Sequence, residues 1–160
     1  MSPVTQKPLK FSQVESFCED VRKANKKIVF TNGCFDILHL GHVSYLNEAR
    51  ALGDFLFVGI NNDSSVTKLK GEGRPVQNEY DRAVILQSLR SVDVTCLFGE
   101  PTPLELIKLV RPDILVKGGD WTVDKIVGGD WVTSRGGKCL SLPFFKGHST
   151  SLILEKIKKL

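Results

Sequence analysis

Ile28-Val29-Phe30-Thr31-Asn32-Gly33-Cys34-Phe35-Asp36-Ile37-Leu38-His39-Leu40-Gly41-His42 is the stretch whose reading decides the fold. Ile28 to Thr31 reads as a buried strand, and Gly33 allows a tight exit from it. From Gly41 to Leu52 the apolar positions Val43, Leu46, Ala49 and Leu52 follow helical spacing. Two histidines three apart therefore stand at a helix start, on one face of it. A helix start offers unpaired N–H groups and the positive end of the helix dipole, so anions bind there readily. The turn reads as a phosphate site. Two other readings stay open: a buried core histidine beside a surface histidine that caps the turn, and a zinc site using Cys34, His39 and His42. The zinc reading lacks a fourth ligand nearby and the usual paired-ligand spacing.

Outward from this stretch, further apolar runs recur at Phe55 to Ile60, Val92 to Phe98, Ile114 to Val116 and Cys139 to Leu142. Helical patterns alternate with them at Glu79 to Ser91, Pro103 to Val110, Val123 to Arg135 and Ser149 to Lys159. Continuous apolar strands alternating with helices predict a doubly wound, Rossmann-like α/β fold with a five-stranded parallel sheet covered on both faces. Ahead of it, Ser12-Gln13-Val14-Glu15 has capping-box form and Phe11, Val14, Phe17, Cys18 and Val21 are helically spaced, which predicts an additional N-terminal helix. We expect residues 1–27 to be a helical extension packed on a domain of residues 28–160, a single domain overall.

Composition narrows the partners. The formal charge of +4 over 160 residues is modest and spread out, which favours small anionic ligands over nucleic acid. No apolar run approaches membrane-spanning length and no leader-like segment opens the chain, so a soluble, cytoplasmic protein is expected. The four cysteines lack CxxC spacing and read as free thiols. GxxxxGK[ST], GxGxxG after a strand, and GxSxG are all absent, which removes the main support for P-loop, dinucleotide and α/β-hydrolase chemistry.

Basic and glycine-rich material follows successive strands instead. Lys70-Gly71-Glu72-Gly73-Arg74-Pro75 puts two cations in a loop that permits close backbone approach, or else is a solvated loop. Lys117-Gly118-Gly119-Asp120-Trp121 follows the fourth strand, where its backbone can line a cleft and Trp121 can pack on a base or sugar or fill the core. Gly147-His148-Ser149-Thr150-Ser151 opens the last helix, with hydroxyls suited to capping and to anion contact. Asn61, Asn62 and Asp63 end the second strand as polar contacts or as an Asx turn.

Taken together, His39-Leu40-Gly41-His42, Lys70 to Pro75, Lys117 to Asp120 and the Ser149-Thr150 helix start resemble the cytidylyltransferase-like nucleotidyltransferases over nearly the whole chain. Thr31 to His39, Val116 to Asp120 and Ile126-Val127-Gly128 look most like the D-glycero-β-D-manno-heptose 1-phosphate adenylyltransferases, in a stand-alone form without the sugar kinase domain that some relatives carry. His148 and Ser151 fall where such relatives vary.

The resemblance implies transfer of AMP from ATP to heptose 1-phosphate, giving ADP-heptose and pyrophosphate. It implies that His39, His42 and Lys70 are catalytic. It implies that Thr31, Asn32, Gly33, Cys34, Phe35, Gly41, Lys117, Gly118, Ser149 and Thr150 line the nucleotide with the two histidines. Asp36, Asp63, Arg74, Asp120 and Trp121, with Lys70, are then expected on the sugar-phosphate side. Magnesium is expected on the triphosphate, with no metal held by the protein alone. Such relatives are often homodimers. Two rival functions stand beside this one: a cytidylyltransferase acting on glycerol 3-phosphate, and a non-catalytic nucleotide-binding module.

Overall fold

A computed structural model describes residues 7–119, 121–143, 145 and 147–160. The elements are α1 (Val14–Lys23), β1 (Ile28–Gly33), α2 (Leu40–Arg50), β2 (Phe55–Asn61), α3 (Asp63–Lys70), α4 (Glu79–Gln87), β3 (Val94–Phe98), α5 (Leu104–Val110), β4 (Ile114–Gly118), α6 (Gly129–Ser134), β5 (Lys138–Leu142) and α7 (Thr150–Ile157). The five strands form one parallel sheet in the order β3-β2-β1-β4-β5. This is the Rossmann-like architecture expected from the alternation of strands and helices.

The inner strands open as apolar runs because both of their faces are covered. Side chains alternate between the two layers, as strand geometry requires. Ile28, Phe30, Phe55 and Phe57 point into one core with Val14, Cys18 and Val21 of α1, Leu106, Ile107 and Val110 of α5, and Val132 of α6. Val29, Leu56, Val58 and Ile60 point into the other, with Leu46 and Ala49 of α2 and Ala83 and Leu86 of α4. Aspartates fix where strands begin: Asp113 Oδ2 accepts from Ile28 N at 2.7 Å, and Asp93 Oδ2 accepts from Leu56 N at 2.7 Å.

Several local expectations need correction. The N-terminal cap is not Ser12 with Glu15. Phe11–Gln13 is a 3-10 turn ahead of α1, and Gln13 Oε1 accepts from Lys10 N at 3.3 Å. The helix expected over Val123 to Arg135 is two pieces, a 3-10 turn Val123–Lys125 and then α6. Gly128 breaks it: its φ is +83°, and a Cβ there would lie 2.8 Å from Ile107 Cδ1. Asn62 and Asp63 do not form a loose Asx turn. Asn62 caps α3, its side chain accepting from Ser65 N. Gly33 stays extended in β1 and the sharp turn falls on Phe35, at φ +47°. Gly33 is needed for space, since a Cβ would stand 3.0 Å from the Phe35 ring.

The sheet opens where chemistry can happen. β1 is in register with β2 as far as Gly33↔Ile60, and β4 with β5 as far as Gly118↔Leu142. β1 and β4 pair only at Val29↔Ile114 and Phe30↔Leu115. Beyond that point they part at the topological switch, leaving a crevice at their carboxyl ends.

Candidate nucleotide-binding site

Tyr45, from α2, occupies the fork. Its hydroxyl lies 2.5 Å from Thr31 Oγ1 of β1 and makes a long contact of 3.4 Å to Val116 O of β4. Burial pushes this phenol up to about 12, so it remains a neutral hydroxyl bridging the two strands. Tyr45 also explains Gly118, where a Cβ would come within 3.2 Å of its ring. On the β4 side of the crevice, Asn32, Leu115, Val116 and Lys117 line a cavity of about 160 Å³ with Trp121 and Ile126. Trp121 is 48% exposed and offers a flat apolar wall. Asp120 lies outside the described residues.

The two motif histidines meet at the start of α2. His39 is its N-cap residue, in extended conformation, and His42 N donates to His39 O at 2.9 Å. Their rings stack with centroids 3.8 Å apart, and His42 also packs on Phe35 at 5.3 Å. Both Nδ1 atoms are buried with no partner among the described residues. Burial, reinforced by His39, lowers His42 to about 4. Burial and then His148 lower His39. Both rings are therefore neutral near pH 7 in the free protein.

This has a measurable sign. Between pH 6.5 and about 4 the unfolded chain takes up a proton that folded His42 refuses. Folding stability then falls as pH falls through that window and is untouched above it. Thermal melts of the wild type and of His42→Gln between pH 7.5 and 4.5 are expected to diverge on acidification, with the wild type losing more. Parallel curves would remove the depressed histidine from the account.

The end of the chain closes the same corner. Thr150 Oγ1 donates to Ile37 O at 3.1 Å, and Ser149 Oγ caps α7 by accepting from Leu152 N at 3.1 Å. Two helix starts, α2 and α7, thus open beside one another. A Cβ on Gly41 would press on the His39 ring, 3.0 Å from Nδ1, and would stand in ordinary contact, 3.4 Å, with the His148 Cβ.

The carboxylates expected near a sugar phosphate are engaged within the protein. Asp36 is 2% exposed. It accepts from Arg74 Nε at 2.7 Å, from Val76 N at 2.8 Å and from Gln77 N at 3.0 Å. Burial opposes its ionisation, but those hydrogen bonds outweigh the cost and hold it below the usual carboxylate range. Asp36 thereby fixes the loop that follows α3. Asp63 pairs with Arg82 at 2.8 Å.

The Arg82 guanidinium is fully buried and also donates to Gln77 O, Cys34 O and Asn61 O. Lys70, Arg82, Lys117 and Arg74 all act electrostatically on the Cys34 thiol, whose burial nevertheless raises it. The loop cations and Lys117 are therefore gathered around the β1 exit. Lys117 itself is lowered, chiefly by burial.

Arg82, Tyr45, Ile126 and Val127 are site-shaping residues outside the set expected from the sequence. Only the Ile126-Val127-Gly128 string carried a signal for any of them. Among the described residues no group of three or more His, Cys, Asp or Glu side chains is arranged to hold a metal ion, and no helix is long and apolar enough to cross a membrane.

A parallel sheet forked at its switch point, with stacked histidines at a helix start beside the fork, is the candidate site. The chain belongs to the cytidylyltransferase-like family, whose profile matches residues 30–141. More particularly, it is 50% identical over 148 residues to bifunctional protein HldE of a Nitratiruptor species, covering 92% of this chain and 31% of that protein. It is 55% identical over 132 residues to bifunctional protein HldE of Citrifermentans bemidjiense, covering 82% of this chain and 27% of that protein. The chain thus spans under a third of the length of these relatives. Among solved structures, a lipopolysaccharide core biosynthesis protein from Thermoplasma volcanium matches with a TM-score of 0.60 and 30% identity, over 77% of this chain and 99% of that one.

Proposed function

We propose that the protein transfers AMP from ATP to D-glycero-β-D-manno-heptose 1-phosphate, releasing pyrophosphate and forming ADP-heptose for lipopolysaccharide assembly. The observation that carries this reading is the meeting of His39 and His42 with two helix starts at the mouth of the β1/β4 fork. Similarity to the HldE proteins over most of the chain supports the choice of sugar and nucleotide. Transfer from ATP suits the cytoplasm, where ATP is made.

A sugar-phosphate oxygen attacks the α-phosphorus of ATP in line. The new P–O bond forms as the bond from the α-phosphorus to the bridging oxygen breaks, and pyrophosphate leaves with that electron pair. A phosphate monoester with a second pKa of about 6 is already largely ionised near neutral pH, so no general base is required. The difficulty is bringing anions together, which positioning and charge stabilisation overcome.

In this reading the nucleoside lies along Thr31 to Phe35 and Gly118, and His39 and His42 donate to triphosphate oxygens whose charge grows as the bridge breaks. Lys70, Lys117 and the free edge of Arg74 neutralise the two phosphate groups. Asp36 and Asp63 act on the sugar side by holding that loop rather than by free carboxylates. Magnesium enters with ATP as part of the substrate and spreads the triphosphate charge.

Pyrophosphate release is the deciding assay, crossing ATP and CTP against heptose 1-phosphate and glycerol 3-phosphate with magnesium. Release with ATP and the heptose alone is expected. Release only with CTP and glycerol 3-phosphate would keep the mechanism and replace the substrates. Nucleotide binding with no release from any pair would make the chain a binding module.

A further inference from the structure

We propose that His148 is a third phosphate-binding imidazole, contacting the β- and γ-phosphates of the bound triphosphate beside His39 and His42. The inference rests on the nucleotidyltransferase reading and deepens it.

The chain has three histidines, and the fold brings the last of them from the far end of the sequence to the other two. The rings stand in a row that begins at the fork. Phe35 lies against His42 at 5.3 Å, His42 against His39 at 3.8 Å, His39 against His148 at 6.4 Å, and His148 against Phe145 at 5.2 Å. The planes of His39 and His148 differ by 25° and those of His39 and His42 by 24°, so His39 lies roughly parallel to the ring on either side of it.

Among the described residues the third ring has ring contacts but no polar partner. His148 is exposed and makes no hydrogen bond or ion pair among the described residues. Its backbone nevertheless runs beside the start of α2. Thr150 is tied to Ile37 O, and the His148 Cβ lies within ordinary contact, 3.4 Å, of where a Cβ on Gly41 of α2 would stand. The cap of α7 is already supplied by Ser149, so His148 is not needed for it.

His39 opposes protonation of His42, and His148 opposes that of His39. A polyanion lying along the row reverses that opposition and gives each ring an acceptor. Order along the row assigns the phosphates: His42 is nearest the nucleoside end and His148 farthest from it, so His148 meets the groups that leave as pyrophosphate.

Equilibrium binding of Mg-ATP, Mg-ADP and AMP to the full chain, measured by calorimetry, tests this without a sugar substrate. His148→Ala is expected to weaken Mg-ATP by about tenfold, Mg-ADP by less, and AMP by under about twofold. His148→Gln, which keeps a donor at similar reach, is expected to recover part of the ATP affinity and guards against a misfolded alanine variant. Unchanged ATP binding in both variants would overturn the proposal. Equal losses for ATP and AMP would also overturn it, since position 148 would then be only structural. Failure of the wild type to bind any of the three nucleotides would instead bring down the nucleotidyltransferase reading itself.

Discussion

His42→Ala is expected to lower the rate of pyrophosphate release by on the order of 10² to 10³, the usual cost of one preorganised donor aimed at developing negative charge. The fall should appear in kcat, because the ring's partner oxygens gain their charge only as the bridge to pyrophosphate breaks. Stability should change by only about 1 kcal/mol in either direction. Removing the ring leaves space against Phe35, but it also removes a buried nitrogen that has no partner among the described residues. Turnover close to that of the wild type, in a variant that melts normally, would remove His42 from the mechanism.

The other large effect is on stability. Arg82→Ala is expected to cost about 3–5 kcal/mol of unfolding free energy. Its buried guanidinium is the shared donor for three backbone carbonyls, Gln77 O at 3.0 Å, Cys34 O at 2.5 Å and Asn61 O at 2.8 Å, and for the Asp63 carboxylate. Alanine strands all of them at once. Lysine should rescue little, since a single ammonium on a flexible stem cannot reproduce the planar fork. Urea unfolding with a slope unchanged from the wild type would measure the loss. A loss below about 1 kcal/mol would mean that water replaces the guanidinium.

The sheet is readable from the chain because the inner strands are buried on both faces and begin as continuous apolar runs, Ile28 to Phe30, Phe55 to Ile60 and Ile114 to Val116. Helix α3 is not readable. Only Ser65 and Val66 of its eight residues are buried and Leu69 is 62% exposed, so Asp63–Lys70 carries no apolar periodicity, and its one clear mark is the Asn62 cap. The break at Gly128 depends on how closely Ile107 approaches, a tertiary fact invisible in a helical pattern.

Within the site, the histidine pair and the loop cations announce themselves by type and spacing. Arg82 does not. An arginine in a helix normally reads as solvent-facing, and its burial follows only once the fold has brought three carbonyls to one point. Tyr45 is hidden in the same way, since it falls outside the apolar positions Val43, Leu46, Ala49 and Leu52 and its hydroxyl finds Thr31 only once the fold is formed. Asp36 reads as a ligand-facing carboxylate, yet its acceptor sites face the backbone of Val76 and Gln77.

Helix α7 buries none of its residues, and Leu152 and Ile157 are half exposed. Such a segment separates from its neighbours at a free energy far below that of the whole domain. One wall of the candidate phosphate corner is therefore weakly anchored, while the opposite wall, β1 and the start of α2, grows out of the buried sheet. A polyanion bridging the two walls adds its own binding energy to the docking of α7. Occupancy and order at the carboxyl end should consequently rise together, and departure of the leaving group should loosen the wall that held it.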